Sequence, residues 1–481
     1  MKSIHILHIL ALAIGISSAM RAADIRPAKP NIIFILADDM GYGEVGCYGQ
    51  KLMQTPHLDR LAAEGMRFTQ FYCGNTVCAP SRTVLLTGLH NGHATVRGNS
   101  PPLSEGANLR ADEPNVGRVL KEAGYTTGII GKWGLGTQDS PGHPNRQGFD
   151  YFFGYLTHHH AHNHYPDFLW RNSERVALPN EVKAAGRAPE GDVGGYATKA
   201  VQYADDLFVE EALNFIERSK DKPFFLYYAM DIPHANNERM GALGNGNEVP
   251  DDGPYSNKEW TAQQKGHASM VTRLDGYVGR VIEKLKQLDL DDKTLVIFTT
   301  DNGHHNEGGE GKNDMFQKNG SLRGMKRDLT DGGIRVPFIA RWPGKVRTGA
   351  ESAHVGYFGD FLSTAAELAG VPEPAGRDGL SFVPALLGLP GQKAHDCLYW
   401  EFHERGFSQA VLLDGRWKGL RQGRRDAPIQ LHDLRADPGE ARDVAADHPE
   451  LVEEARGLFT TARTDSPFYP PKDLQRAKAN P

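Results

Sequence analysis

The chain has 481 residues, of which 39% are apolar and 24% are charged, and its formal net charge is −6. A chain of this length can bury a sizeable core, which favours one large α/β domain with an appendage, or two domains. The apolar content excludes a disordered chain, and the small net charge excludes a surface built to bind nucleic acid. Any recognition of an anion must therefore be local.

The first 23 residues have the pattern of a secretory signal peptide. Lys2 precedes an apolar run over 4–16, and the small residues Ser17, Ser18 and Ala19 follow it. We therefore predict that residues 1–23 are removed on export and that the protein is periplasmic or secreted, with an uncleaved N-terminal anchor as the alternative. No later stretch approaches the roughly 20 apolar residues of a transmembrane helix, so no stable membrane insertion is expected.

Four apolar segments rich in β-branched residues each stop at polar groups, as buried parallel strands do at the edge of a sheet. They cover 31–37, 126–130, 223–228 and 294–299, and the polar groups are Asp38 with Asp39, Lys132, Asp231 with His234, and Asp301 with Asn302. Helical patterns lie between them, over 56–65, 116–123, 203–219 and 267–288. This alternation predicts a largely parallel sheet between layers of helices, with functional groups at the carboxyl ends of its strands.

Near residue 392 the alternation of strand and helix patterns gives way to a series of short strand patterns. Short strand patterns cover 398–402, 409–413 and 417–421, and an amphipathic helical pattern follows over 449–463. We predict a catalytic domain over 27–388 and a small α+β subdomain, an antiparallel sheet with one helix, over 392–481.

Cys78 opens the string Cys78-Ala-Pro-Ser-Arg82, which is followed by a helix-compatible run over 83–88. Pro80 suits the first turn of a helix and Ser81 suits its cap. A thiol at the start of a helix is well placed for chemistry, since this end of a helix stabilises negative charge. A buried, inert structural cysteine is the alternative reading.

This string resembles the Cys-x-Pro-Ser-Arg signature of the type I sulfatases, in which the cysteine is oxidised to formylglycine. Companion blocks occur in the order that the family has: Asp38-Asp39, Gly131-Lys132-Trp133, Asp231-Ile-Pro-His234, Asp301-Asn302-Gly303, and the segments 322–326 and 332–337. The resemblance covers nearly the whole chain and is strongest to bacterial polysaccharide and aryl sulfatases. It implies the alkaline-phosphatase-like fold, sulfate ester hydrolysis, and a formylglycine-generating maturation enzyme as a partner.

The resemblance also implies the roles of individual residues. One Ca²⁺ would be held by Asp38, Asp39, Asp301, Asn302 and an oxygen of the modified Cys78, which are hard oxygen donors of the kind calcium prefers. Arg82, Lys132 and Lys326 would surround the sulfate oxygens, and His234 would protonate the leaving alcohol. His162, in the block Ala161-His162-Asn163, would be a further catalytic histidine, and His160 is the alternative because an offset of two residues stays open.

One position departs from the family pattern: Gly134 stands where many sulfatases have a histidine, two residues after the lysine. The base that regenerates the aldehyde must then come from elsewhere, for which His162 is the candidate. With Cys78 assigned to chemistry, at most one disulfide is expected among the remaining cysteines, and we predict Cys47 with Cys73.

A sugar beyond the sulfate would be contacted by Arg97, Asn99, His403 and Glu404, for which packing or turn roles are the alternative. We expect a sulfated carbohydrate substrate, a galactose or N-acetylgalactosamine sulfate, hydrolysed by an exo-acting enzyme.

Three other functions are alternatives to sulfate ester hydrolysis. A zinc phosphatase of the same superfamily is disfavoured because the amide of Asn302 is a poor zinc ligand. A formylglycine-dependent phosphonate or phosphodiester hydrolase stays open. A non-catalytic glycan-binding protein is disfavoured because Cys78, Arg82 and the carboxylates are all present.

Overall fold

The computed structural model describes residues 29–99, 105–185, 192, 194–311 and 314–471. The predicted signal peptide, residues 1–23, lies outside these ranges, as does the end of the predicted C-terminal subdomain, residues 472–481. No helix within the described ranges has both the length and the apolar character that crossing a bilayer requires.

Seventeen strands and ten α-helices lie in the described ranges. The strands are β1 (Asn31–Ala37), β2 (Met66–Tyr72), β3 (Thr126–Lys132), β4 (Tyr151–Tyr155), β5 (Phe168–Arg171), β6 (Glu174–Ala177), β7 (Glu181–Ala184), β8 (Gly195–Lys199), β9 (Phe224–Ala229), β10 (Thr294–Thr300), β11 (Arg335–Arg341), β12 (Ala350–Ser352), β13 (Gly356–Tyr357), β14 (Cys397–Phe402), β15 (Ser408–Leu413), β16 (Trp417–Arg421) and β17 (Gln430–Asp433). The helices are α1 (Pro56–Ala63), α2 (Cys78–Thr87), α3 (Val116–Glu122), α4 (Ala204–Ser219), α5 (Asn237–Leu243), α6 (Ala262–Gln287), α7 (Asp331–Ile334), α8 (Asp360–Ala369), α9 (Val383–Leu387) and α10 (Pro449–Thr461).

The large sheet has the strand order β12-β2-β11-β10-β1-β9-β3-β4-β5-β6, and β13 pairs with β2. Its centre, from β10 to β4, is parallel, whereas β11 on one side and β5 on the other run antiparallel to it, and β6 pairs antiparallel with β5. The predicted fold class, a mostly parallel sheet flanked by helices, is therefore confirmed. The antiparallel strands are too short or too interrupted to stand out in the sequence.

Both faces of the large sheet are buried. In β1, Ile32 and Phe34 pack in a core that includes α2, α3 and α8, whereas Ile33 and Ile35 pack in a core that includes α1, α4 and α6. This double burial explains why β1 is a continuous apolar run rather than an alternating one.

The predicted disulfide between Cys47 and Cys73 is wrong, because all four cysteines are free thiols. Cys73 belongs to the core with α2, and Cys47 packs against the core on the opposite face of the sheet. The sulfur of Cys73 instead donates to the carbonyl of Asn75 at 3.0 Å.

Helix α2 begins at Cys78 itself, with Val77 as the N-cap, so the prediction that Ser81 caps this helix is also wrong. The Ser81 hydroxyl lies inside the helix, where it donates to the carbonyl of Asp301 at 2.5 Å and accepts from the backbone N–H of Gly74 at 3.1 Å. Ser81 thus anchors the start of α2 to the end of β10.

Strands β14 to β17 form a separate antiparallel sheet in that order, one strand more than the sequence predicted. Helix α10 packs on it through Ala455 and Phe459. The indole N–H of Trp400 donates to the carbonyl of Cys73 at 2.9 Å, which fixes this sheet next to the segment that leads into α2.

Candidate active site

Four neighbouring parallel strands, β10, β1, β9 and β3, end at the same edge of the large sheet. Their ends bring together residues that are far apart in sequence: Asp301 with Asn302, Asp38 with Asp39, Asp231 with His234, and Lys132. All of these side chains are buried, with exposures of 2% or less. A buried polar cluster of this size at a sheet edge is typical of an active site in an α/β fold.

The carboxylates and the amide of this cluster form one oxygen-rich group. The backbone N–H of Asp39 donates to Asp301 Oδ1 at 3.1 Å, and Asn302 Nδ2 donates to Asp39 Oδ1 at 2.6 Å. Asp39 has a φ of +65°, a left-handed conformation that turns its side chain back into the group. The amide oxygen of Asn302 is buried and makes no hydrogen bond within the described residues. Three carboxylates with a free amide oxygen fit a hard divalent cation.

Three buried cationic side chains balance the negative charge of these carboxylates. Arg82 lies 3.0 Å from Asp38 and 2.8 Å from Asp301, and Lys132 Nζ lies 2.5 Å from Asp38. Lys326 Nζ donates to Asp39 Oδ2 at 2.7 Å. Burial alone would raise the pKa of Asp38, but Lys132 and Arg82 outweigh it and lower this pKa to about 2. Asp38 is therefore ionised near neutral pH.

Cys78 faces this cluster from the first turn of α2. Its sulfur lies 3.5 Å from Asp38 Oδ1 and 4.0 Å from Lys132 Nζ. Burial and the nearby Asp38 carboxylate raise the pKa of the thiol well above its usual range. Because the thiolate is the nucleophilic form, Cys78 is a poor nucleophile as an unmodified cysteine.

His234 lies on the far side of Asp39, with Nε2 at 3.2 Å from Lys326 Nζ and 3.4 Å from Asp39 Oδ2. Burial and the Lys326 ammonium lower the pKa of His234 well below its usual range. The imidazole is therefore neutral in the free enzyme, and an anionic group bound beside it would favour its protonation.

The structure places His162 and His160, the two candidates from the sequence, in different surroundings. The ring of His162 stacks on that of His234, with centroids 5.1 Å apart, whereas His160 packs against Tyr155 and Phe168. Of these two, His162 is thus the one whose ring lies next to that of His234.

Glu238 is a residue of the site that the sequence analysis missed. It lies in the first turn of α5 and contacts His162 Nδ1 at 3.0 Å. This contact favours the tautomer with the proton on Nδ1, so that Nε2 is free to accept one. The two residues are 76 positions apart, and no local pattern links them.

Gly134, the position without the family histidine, lines a small cleft together with Ala79, Asn108 and His158. A Cβ at Gly134 would have no neighbour within 4 Å. The absent side chain therefore leaves open space beside the start of α2.

The four predicted sugar contacts fall into two groups. Arg97 and His403 both contact the buried carboxylate of Glu401, at 2.9 and 3.0 Å, which favours the packing role that the sequence left open. Asn99 accepts a hydrogen bond from the backbone N–H of Ala79 in α2, and Glu404 pairs with Arg327. Asn99 thus contacts the residue after Cys78, and Arg327, the partner of Glu404, follows Lys326 in the chain.

The fold and the cluster define a hydrolase of anionic esters, with an oxygen-lined cation site and three buried cations at the end of a parallel sheet. Comparison with known proteins narrows this class. Residues 30–371 match the Sulfatase family, and residues 325–457 match the family described as N-sulphoglucosamine sulphohydrolase, C-terminal. The chain therefore belongs to the sulfatase family and is a sulfuric ester hydrolase.

Three similar proteins illustrate this relationship. An N-acetylgalactosamine-6-sulfatase of Canis lupus familiaris is 34% identical and the alignment covers 85% of this chain and 74% of the relative. An N-acetylgalactosamine-6-O-sulfatase of Bacteroides thetaiotaomicron is 31% identical, with 91% and 93% covered. The crystal structure of Ps i-CgsB has a TM-score of 0.74 at 28% identity and covers 94% of this chain and 98% of its own.

Replacing Arg97 with alanine tests its packing role. We expect the free energy of unfolding to fall by about 3 kcal/mol, because the change breaks a buried ion pair. Urea denaturation measures the loss, and Arg60→Ala, which breaks an exposed pair with Glu64, is the control and should leave the stability nearly unchanged. An unchanged stability together with a raised KM would instead make Arg97 a substrate contact.

Proposed function

We propose that this enzyme removes sulfate from sulfated carbohydrates, acting at chain ends on the 6-sulfate of galactose or N-acetylgalactosamine, in the periplasm or outside the cell. The observation that carries the proposal is the buried Cys78 at the start of α2, within 4.0 Å of both Asp38 and Lys132. The names of the relatives support the sugar and the 6-position. Residues 27–388 would form the catalytic domain and 392–481 the α+β subdomain.

The nucleophile would be formylglycine, made from Cys78 by a maturation enzyme. The high pKa of the buried thiol supports this, since an unmodified cysteine in this position is almost entirely protonated. Hydrated formylglycine is a gem-diol, of which one hydroxyl attacks sulfur and the other later loses its proton so that the aldehyde re-forms and sulfate departs. A serine could perform the first step but not the second.

Asp38, Asp39, Asp301 and Asn302 would hold one Ca²⁺ together with an oxygen of the modified Cys78. The unpartnered amide oxygen of Asn302 and the close approach of three carboxylates support this assignment. When bound, the ion would act as a Lewis acid and polarise the oxygens that it contacts.

The negative charge of the sulfate would be stabilised by Lys132, Lys326 and Arg82. Ion pairs with the buried carboxylates described above hold these three side chains in place. His234 would bind a proton when the anionic sulfate occupies the site and pass it to the leaving sugar oxygen. His162, held by Glu238, would accept the proton that the gem-diol loses, a role that Gly134 cannot take.

Asn99 and Glu404 would contact the sugar, whereas Arg97 and His403 would act indirectly by holding the segments around them. The sugar would therefore bind between the start of α2 and the loop that follows β14.

A comparison of ester substrates tests the proposed function. The matured enzyme should hydrolyse N-acetylgalactosamine 6-sulfate and galactose 6-sulfate, and should cleave 4-nitrophenyl sulfate much faster than 4-nitrophenyl phosphate. This expectation rests on the sulfatase family of the chain and on the sulfatases that it resembles. Faster cleavage of the phosphate, measured as kcat/KM by nitrophenol release, would contradict the assignment.

Mass spectrometry of the active protein tests the nucleophile. The peptide that contains Cys78 should be lighter by about 18 Da than its sequence mass, since the thiol becomes an aldehyde. Cys78→Ser should show no such change and should not turn over. Full activity of protein in which Cys78 is an unmodified thiol would contradict the mechanism.

The replacement His234→Ala tests the general acid. A sugar alcohol needs a proton as it leaves, whereas nitrophenolate hardly does, so kcat should fall about 10²–10⁴-fold more for sugar sulfates than for 4-nitrophenyl sulfate. Lys132→Ala is the matched control and should lower both rates, because the sulfate oxygens carry charge whichever group leaves. Equal losses for the two substrates in His234→Ala would make His234 a sulfate-binding residue.

A further inference from the structure

A second buried cluster adjoins the active site and shares Asp231 with it, but has no role in the chemistry proposed above. It consists of His164, Asp205 in the first turn of α4, and Asp231 after β9, all with 0% exposure. One ligand atom from each lies within 4.8 Å of the others. His164 Nδ1 and Asp231 Oδ2 are 3.4 Å apart.

Four atoms of this cluster have lone pairs but no hydrogen-bond partner within the described residues. They are His164 Nδ1, Asp205 Oδ2 and both carboxylate oxygens of Asp231. Lys132 Nζ is 3.6 Å from Asp231 Oδ1, too long for a hydrogen bond, because it is held 2.5 Å from Asp38 instead. Buried acceptors are rarely left in this state, since each costs the free energy of its lost hydration.

The hydrogen bond on the other side of the His164 ring fixes its tautomer. Nε2 lies 2.9 Å from the backbone carbonyl of His234, and because a carbonyl can only accept, Nε2 must carry the proton. A neutral imidazole has one N–H, so Nδ1 presents a bare lone pair to the Asp231 carboxylate. A metal-binding histidine is commonly oriented in this way, by donating its other N–H to a backbone carbonyl.

The partly buried group of His90, His93 and Asp378 provides a contrast. There His93 Nδ1 lies within hydrogen-bonding distance of both Asp378 carboxylate oxygens, at 3.0 Å, and His90 Nδ1 accepts a hydrogen bond from the backbone N–H of Gly92 at 3.1 Å. Asp378 in turn accepts from the backbone N–H of His90 at 2.9 Å. That group is satisfied by its own hydrogen bonds, whereas the cluster of His164 is not.

We propose that His164, Asp205 and Asp231 bind a transition-metal ion of the zinc class, separate from the calcium site. A tetrahedral zinc ion with bonds of about 2.1 Å places its ligand atoms about 3.4 Å apart, which is the separation of His164 Nδ1 and Asp231 Oδ2. An imidazole nitrogen with only three side chains favours zinc over calcium, which takes six to eight oxygens. The site is closed to solvent, so the ion enters as the chain folds.

The ion would link three segments below the active site. Asp231 ends the strand that leads to His234, Asp205 begins α4 and accepts from the backbone N–H of Asp231, and His164 holds the carbonyl of His234. The metal site would therefore position the backbone of the general acid without touching the substrate.

Element analysis and anomalous diffraction test this proposal on the full chain. Protein expressed with zinc in the medium and then dialysed should contain one transition-metal ion per chain, and diffraction above the zinc absorption edge should give a peak among the four donor atoms. Asp205→Asn keeps an oxygen for the Asp231 N–H but loses the carboxylate charge, and should lower zinc content at least about tenfold. Asp378→Asn is the matched control and should leave zinc content unchanged.

Anomalous diffraction from wild-type crystals tests the proposed metal site even if Asp205→Asn fails to fold. A structure with no anomalous peak at this cluster would overturn the proposal and assign the space to a shared proton or a water. A peak found only at the neighbouring histidines, His158, His159, His160 and His162, would overturn it as well. Asp301→Asn should remove calcium but not zinc, so the outcome is independent of the proposed sulfatase mechanism.

Discussion

The side chain of Arg82 is the contact on which the rest of the active site depends. Its guanidinium is 1% exposed and joins Asp38 after β1 to Asp301 after β10, and it also donates to the carbonyl of Lys132 at the end of β3. A carboxylate pair cannot stay buried and ionised without such a partner. Because Arg82 is one turn after Cys78 in α2, the same side chain sets the position of the nucleophile relative to the carboxylates.

The sequence predicted those parts of the fold in which one physical signal dominates. The strand at 31–37 was predicted to the residue because it is buried on both faces, and the polar groups that follow it were placed correctly at the sheet edge. Strand β3 extends two residues beyond its prediction, to Lys132, since the Gly131-Lys132 step still pairs with β4. Strand β17 was missed because its four residues carry no continuous apolar run.

The contacts of the site were harder to predict than its residues. The Cys-x-Pro-Ser-Arg string identifies Cys78 and Arg82, but the partner of His162 lies on a distant helix, and the partners of Arg97 lie in the C-terminal sheet and the segment after α10. Such contacts depend on how the elements pack. The proposed pairing of Cys47 with Cys73 was wrong for the same reason, since spacing along the chain does not tell which face of a sheet a residue is on.

The burial of Cys78 limits when it can be modified. The side chain is 3% exposed, and in the folded chain Lys132 and Asp38 lie against its sulfur. If Cys78 is the maturation site, an enzyme that oxidises it must bind the segment 78–82 in an extended form, before α2 and the neighbouring strands assemble. Conversion would then compete with folding. A molecule that folds first would keep its thiol permanently, and the yield of active protein would depend on how slowly the chain folds.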